Sequence, residues 1–480
     1  MSEHKRIIKN TGILMGMELG TGILEVLVSV ILARYLAPKG YGLMAFALAF
    51  VSLFSILPGF GMGTLITRDL ARDPSAMSRY LSNGLVATVG LSILTLVIIF
   101  FTGLGLGFSF EKEMVVSIAA LLMILEIALR FTTAFFRAQQ AMTTVAMLNL
   151  VLSVGWMSAT LLVVWQKGSL IEVLGVRALI SVAIVAFSFW LINTRLERLS
   201  WNFSWPFLWK MLKASLPFAL FQLFVRVYVK VDMVMISFMR GDVVTGWYAV
   251  SQKFRQALSF IPLSVSGAIM PAMSKVSKQP SRNMAETLTK SCKFLMIIAL
   301  PIAGGITIIA DRLVFLMYGP AYQASVPALR IVIWTILFAF LNSSLSSALL
   351  ALNKEKEVGW ALGVGALSNI LTNLIAIPLW AHVGAASTTV LSEALVFGIQ
   401  IYLLRRYLPE ARPLNQIVPL TGATFLMMIF AWFTHRSPLF YTIAGSVSVY
   451  VLFLLMAGIV DPEERAFIRG IFQRKKVQNL

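Results

Sequence analysis

Residues 214–239 read ASLPFALFQLFVRVYVKVDMVMISFM. As a helix this run spans roughly 39 Å at 1.5 Å per residue, more than the ~30 Å hydrocarbon layer of a bilayer. In lipid a spanning segment must satisfy its own backbone, which an unbroken apolar run of this length does as an α-helix. Gln222, Arg226, Lys230 and Asp232 interrupt the apolar pattern. The next run, Gly246 to Met270, repeats the anomaly with Lys253 and Arg255. A charge near the bilayer centre costs about 2.5–3.5 kcal/mol on insertion scales. Cations in two consecutive apolar segments therefore require compensating anions or a water-filled chamber. An anion-accepting chamber between helices is the first functional expectation.

The rest of the chain extends this reading. Of 480 residues, 58% are hydrophobic and 13% charged, with mean hydropathy +0.84. A soluble domain carries about 25% charged residues. Apolar runs near the spanning length recur about fourteen times, near 12–33, 41–61, 81–103, 114–134, 143–165, 170–193, 214–239, 246–270, 290–310, 328–350, 358–381, 386–404, 414–434 and 439–460. The expected fold is an all-α polytopic membrane protein of about 14 transmembrane helices. The net charge of +19 has its origin in loops, not in nucleic-acid binding. Alternating the loops from a cytoplasmic N-terminus puts 27 of the 40 Lys and Arg residues inside and 8 outside. Both termini are thus expected in the cytoplasm and the chain in the inner membrane.

The same sequence excludes several classes. One cysteine, Cys292, leaves no internal disulfide, and His4, His382 and His435 lie too far apart in sequence to suggest a histidine-built metal site. No Walker loop, H-E-x-x-H or paired-cysteine spacing occurs, so neither catalysis nor a cofactor is expected. Every loop is short, and no appended soluble domain is expected. Lys5, Arg6 and Lys9 precede a run too long for a signal peptide, which reads as a retained first helix. Trp201, Trp205 and Trp209 recur amid basic residues as an interfacial segment, which Pro206 is expected to bend or break. The tail 467–476 is also expected on the inner face. A faint repeat at an offset of 204 aligns Gly42, Ala45, Phe50, Ser55, Pro58 and Gly63 with Gly246, Ala249, Phe254, Ser259, Pro262 and Gly267. It implies parallel repeats related by an axis along the membrane normal.

The stretch Leu32 to Arg68 opens on Ala33-Arg34-Tyr35-Leu36-Ala37-Pro38-Lys39-Gly40-Tyr41-Gly42. It resembles the ARYLGP-x-x-YG turn of the polysaccharide-biosynthesis flippases, the O-antigen-type transporters of the multidrug, oligosaccharidyl-lipid and polysaccharide exporter superfamily. Ala37 stands where that pattern has glycine. A second match is an Asp in the seventh helix, a Gly-x-Tyr turn opening the eighth and a proline near its end, here Asp232, Gly246 with Tyr248, and Pro271. The resemblance implies two six-helix lobes around a central cavity plus two C-terminal helices. The corresponding division is an N-lobe at 1–199, a cytoplasmic interfacial linker at 200–213, a C-lobe at 214–410, and helices 13 and 14 with a basic tail at 411–480.

Candidate site residues follow from helical spacing. Gln222, Arg226 and Lys230 share one face of the seventh helix, and Gln252, Arg255, Gln256 and Ser259 one stripe of the eighth. Lys253 is a less regular member of that set. A lipid pyrophosphate would relieve the repulsion among these cations, although ion pairing with Asp232 or other carboxylates is the plain alternative. Glu18 and Glu25, on one face of the first helix, and Glu393 with Thr389 and Gln400 could exchange a proton or sodium ion, balance the cavity or link helices. Glu126 and Arg130, four apart, most simply pair with each other, and Arg177 is isolated. Asn342, Ser343, Ser344, Ser346, Ser347, Asn369 and Asn373 read chiefly as hydrogen-bonding links between helices.

The expected function is a flippase that moves a polyprenyl-pyrophosphate-linked oligosaccharide to the outer leaflet by alternating access. Its partners would be that glycan, membrane lipids and glycan-assembly enzymes, and its coupling a proton, a sodium ion or the membrane potential. The alternatives are a cation-coupled multidrug exporter, which calls for an acidic cavity, a lipid II flippase, and a membrane glycan polymerase or glycosyltransferase.

Overall fold

The computed structural model describes residues 3–196, 201–259, 261–262 and 282–459, with side chains from Gly16 onward except that of Glu18. The helices are α1 (Glu3–Phe54), α2 (Ile56–Gly59), α3 (Met62–Arg72), α4 (Met77–Gly105), α5 (Phe110–Ala138), α6 (Met142–Trp165), α7 (Leu170–Leu191), α8 (Trp205–Ala257), α9 (Arg282–Tyr318), α10 (Ser325–Val332), α11 (Thr335–Ala351), α12 (Glu355–Arg405), α13 (Ile417–Phe433) and α14 (Leu439–Met456). The three longest are each two helices joined at a kink: α1 at Ala37 (φ 54, ψ 175), α8 at Gly241 (φ 81, ψ 175) and α12 at Ala381 (φ 49, ψ −132). At 52, 53 and 51 residues, each is long enough for two crossings. Among the described residues nine helical segments are long and apolar enough to cross a membrane, in α1, α4, α5, α6, α7, α9, α10 with α11, α12 and α14, and α13 is a shorter apolar helix. The protein is thus an all-α, multi-pass membrane protein.

The chain divides into two compact units. The first comprises Met1–Ala257, Tyr318–Ser325 and Leu362–Thr388, so it holds α8 together with α1 to α7. The second comprises Leu258–Met317, Val326–Ala361 and Thr389–Leu480.

In the first unit α1 and α8 meet backbone to backbone. A Cβ on Gly42 would overlap the carbonyl oxygen of Asp242, and one on Gly246 would overlap that of Pro38. Small residues permit this approach, as at helix contacts in lipid generally. The contact is reciprocal: Ala37 and Gly241, Pro38 and Asp242, and Gly42 and Gly246 are each 204 positions apart. The offset of the sequence repeat is therefore the offset between two kinked helix pairs that hold each other by equivalent atoms. Beside this contact Lys112, at the start of α5, donates to Asp242 Oδ1 at 3.2 Å and Ser237 Oγ at 3.1 Å. Its ammonium sits 4.0 Å from the centre of the Phe46 ring, with Phe108 and Phe238 further out. Ser29 and Tyr41 hydrogen-bond at 2.6 Å, and Tyr322 donates to the Ala33 carbonyl at 2.8 Å.

Two local features depart from the expectation. The second crossing does not run on through 61: Phe60 and Gly61 take left-handed conformations and end it. Past them α3 turns aside as an amphipathic helix that buries Met62, Leu65, Ile66 and Leu70. On its polar face Asp69 accepts from Arg68 Nε at 2.8 Å and Tyr80 Oη at 2.7 Å. Burial works upward on this carboxyl, but those bonds and the charges of Arg68 and Arg72 outweigh it and hold it below its ordinary value. The second departure is Pro206, which breaks nothing. It lies in the first turn of α8, where the missing N–H has no helical partner to lose.

The linker before α8 is fixed by α4. Buried Asn83 donates Nδ2 to the Asn202 carbonyl at 2.9 Å and accepts the Ser204 N–H at 3.0 Å, while Ser82 Oγ accepts the Asn202 N–H at 2.9 Å. Trp201, Trp205 and Trp209 are exposed, as an interfacial belt requires. Residues 197–200 of the linker, Pro271 and the basic tail lie outside the described residues. In the second unit, Gly304 of α9 receives Thr424 and Met428 of α13, and Tyr450 of α14 donates to the Ile297 carbonyl at 3.0 Å.

Candidate functional site

A cavity of about 610 Å³ opens within the first unit. Glu126, Arg130 and Arg137 enter it from α5, where spacings of four and seven put them on one face. Gln222, Arg226 and Lys230 enter from α8 at spacings of four. Arg177 of α7 joins them, and Ser52, Ser55, Thr64 and Thr88 supply hydroxyls. The lining thus carries five cations and one carboxylate.

That carboxylate is already engaged. Glu126 accepts from Arg177 at 3.3 Å, and the Arg177 guanidinium lies 4.9 Å from the centre of the Trp156 ring. This corrects two expectations: Glu126 does not pair with Arg130 one turn away, and Arg177 is not isolated. The indole fixes Arg177 where α7 meets α5, and Arg130 is left within electrostatic reach of Arg226. Among the described residues no carboxylate lies within ion-pair distance of Arg226 or Lys230.

Gln252, Lys253, Arg255 and Gln256 are not among the lining residues. Gln252 and Arg255 belong to a buried network around Asp232 in α8. That carboxylate accepts from Tyr248 Oη, from Gln252 Nε2 at 3.3 Å and from the Met233 N–H at 2.8 Å. Gln252 Oε1 in turn accepts from Arg255 Nε at 2.6 Å. A buried carboxylate is tolerated only with such partners, and here they tie the two halves of α8 together. Lys230 links network and cavity: it lines the latter and lies within reach of Asp232, Arg255, Lys253 and Arg226. Lys253 is half-buried, and the charges bearing on it are Glu25 and Arg177. Glu25 is exposed, and the side chain of Glu18 lies outside those described.

Glu393 is buried in the second unit and accepts from Asn342 Nδ2 at 2.9 Å. There Gln400 donates to Ser346 at 2.9 Å. In the first unit Asn373 donates to Asn369 at 2.9 Å and accepts from Thr388. These polar residues join helices. Arg130 and Arg137 passed as loop charges in the sequence because each stands near a helix end. Their spacing from Glu126 was the available signal.

Residues 7–277, more than half of the chain, match the family of polysaccharide biosynthesis proteins. The chain belongs to that family. An uncharacterized membrane protein of Methanocaldococcus jannaschii (strain ATCC 43067) is 24% identical to it over 219 residues, which are 45% of this chain and only 41% of that relative. Among solved structures, the lipid II flippase MurJ in an inward closed conformation superposes with a TM-score of 0.79 at 16% identity, covering 95% of this chain and 99% of MurJ. An inward-facing multidrug resistance transporter of the MATE family does so at 0.63 and 14%, covering 80% and 94%. At these identities the likeness is one of fold. This member of the polysaccharide biosynthesis family therefore has a fold shared by lipid flippases and drug transporters.

Proposed function

We propose that this polysaccharide biosynthesis protein is a flippase that carries a polyprenyl-pyrophosphate-linked oligosaccharide from the cytoplasmic to the outer leaflet of the inner membrane by alternating access. The observation that supports this most is the sign of the cavity: Arg130, Arg137, Arg177, Arg226 and Lys230 share the described lining with one carboxylate, Glu126. Guanidinium forks and an ammonium suit a diphosphate. The lining hydroxyls suit a sugar, and the polyprenyl tail stays in lipid. An inside-negative potential favours outward movement of the anion by about 2.3 kcal/mol per charge per 100 mV. Glu18, Glu25, Asp232 and Glu393 are the carboxylates through which a proton or sodium ion would add to that drive.

A cation-coupled drug exporter of the same fold would need the opposite cavity sign. A membrane glycan polymerase or glycosyltransferase is the alternative from another class. A lipid II flippase shares the diphosphate and differs in the glycan. The test is translocation in vesicles holding the full chain under an imposed inside-negative potential, with a labelled polyprenyl-pyrophosphate oligosaccharide and lipid II compared side by side. Arg226→Gln with Lys230→Gln should slow translocation about 10–100-fold, the value of charged hydrogen bonds, with Tm little changed. Undiminished flipping by that double variant would overturn the reading.

A further inference from the structure

We infer that Glu126 is a built-in stand-in for the anionic headgroup: it pairs with Arg177 and yields it to the diphosphate. The inference rests on the transport reading above and adds to it a residue that sets affinity by competition. Glu126 is the one carboxylate on the described lining, which it shares with the guanidinium groups of Arg130, Arg177 and Arg226. Arg177 touches it at 3.3 Å, Arg130 stands one turn along the same helix, and its charge is felt at Arg226. A guanidinium held at the wall of a cation-rich cavity is a point where an anion rests. The chain fills that point with its own.

The pair is made to be exchanged. It rests on a single N–H to oxygen contact, not the two-pronged fork that Arg and carboxylate form at their strongest. The Glu126 side chain remains 45% exposed toward the cavity, so an incoming ligand reaches the same guanidinium without displacing packed atoms. Arg177 keeps its place through the exchange because Trp156 holds its face. A diphosphate brings more acceptor oxygens and more charge than one carboxylate, so it outcompetes Glu126 where a neutral or weakly anionic lipid does not. The internal carboxylate thereby raises the threshold for entry and selects against singly charged lipid heads.

The test is a double-mutant cycle read by binding of inorganic pyrophosphate to the detergent-solubilised full chain, with Tm recorded for each variant. Glu126→Gln keeps the shape and a hydrogen-bonding amide while removing the charge. It should tighten pyrophosphate binding about tenfold. Arg177→Gln should cost little in the parent, where taking Arg177 breaks the Glu126 pair, and about tenfold in the Glu126→Gln background, where nothing is broken. Additive effects would mean that Glu126 acts only as a distant charge, and unchanged or weaker binding in Glu126→Gln that it is a strut; either overturns the inference. Parent binding that falls in Arg226→Gln but ignores Glu126→Gln removes this inference and leaves the transport reading standing. No pyrophosphate binding by any variant removes both.

Discussion

The two ends of the contact between α1 and α8 are built on opposite rules. At the kinks the helices touch through Gly42 and Gly246, and the charges present are matched: Lys112 meets Asp242 and Ser237 inside a ring of phenylalanines. Further along, from Leu48 to Gly63 on one side and Phe221 to Lys230 on the other, the chain parts around a cavity whose cations outnumber its carboxylates five to one. Satisfied polar groups and absent side chains mark where helices must hold each other. An excess of cations over carboxylates on the described lining marks where a ligand can supply the balancing charge.

The largest expected effect separates the two ends by glycine. Gly246→Ala or Gly42→Ala drives a methyl into a backbone carbonyl that cannot swing aside, at a cost of more than about 3 kcal/mol. Gly59→Ala, whose Cβ meets nothing within 4 Å at the cavity end, should stay within about 0.5 kcal/mol. Thermal unfolding in detergent measures both. Equal losses at Gly246 and Gly59 would erase the distinction between a closed end and an open one.

A smaller effect sharpens the same contrast through charge. Lys112→Met removes a half-buried ammonium and leaves Asp242 with Ser237 alone, which should lower stability by about 1–3 kcal/mol. Adding Asp242→Asn should restore most of it, since replacing both members of a shielded pair is far cheaper than orphaning one. If the double variant is as unstable as the single one, the packing of the lysine stem among Phe46, Phe108 and Phe238 matters more than its charge.

The multi-pass, all-α character was legible because a run of some twenty apolar residues has few other fates. Arg226 and Lys230 were legible for the converse reason: a charge inside such a run is an anomaly wherever it occurs. Arg177 also stood out, but its partner did not, because Glu126 lies 51 positions away and a nearer candidate, Arg130, offered itself. Arg130 and Arg137 fit the rule for cytoplasmic loop charges, which masked the helical spacing that puts them on one face with Glu126. The tie from Gln252 to Asp232 needs the turn at Gly241 to bring residues 20 positions apart together, which no helical periodicity encodes. The end of the second crossing was hidden in Phe60 and Gly61, since one aromatic and one glycine inside an apolar run do not announce a helix turning aside.

The least effect tests the repeat itself. Ala37 and Gly241 occupy equivalent kinks, with ψ 175 at both and φ 54 and 81, in a region that is nearly glycine's alone. A Cβ built on Gly241 meets nothing within 4 Å, so Gly241→Ala adds strain and no clash. It should destabilise by about 1–2 kcal/mol, and Ala37→Gly should stabilise by a similar or smaller amount, because glycine also frees the unfolded chain by about 0.5–1 kcal/mol. Opposite signs from opposite substitutions at positions 204 apart are what two copies of one hinge require, and Tm reads both. A loss in Ala37→Gly would mean that the methyl of Ala37 earns more in contacts than its backbone forfeits, and that the two hinges, alike in geometry, have ceased to be alike in energy.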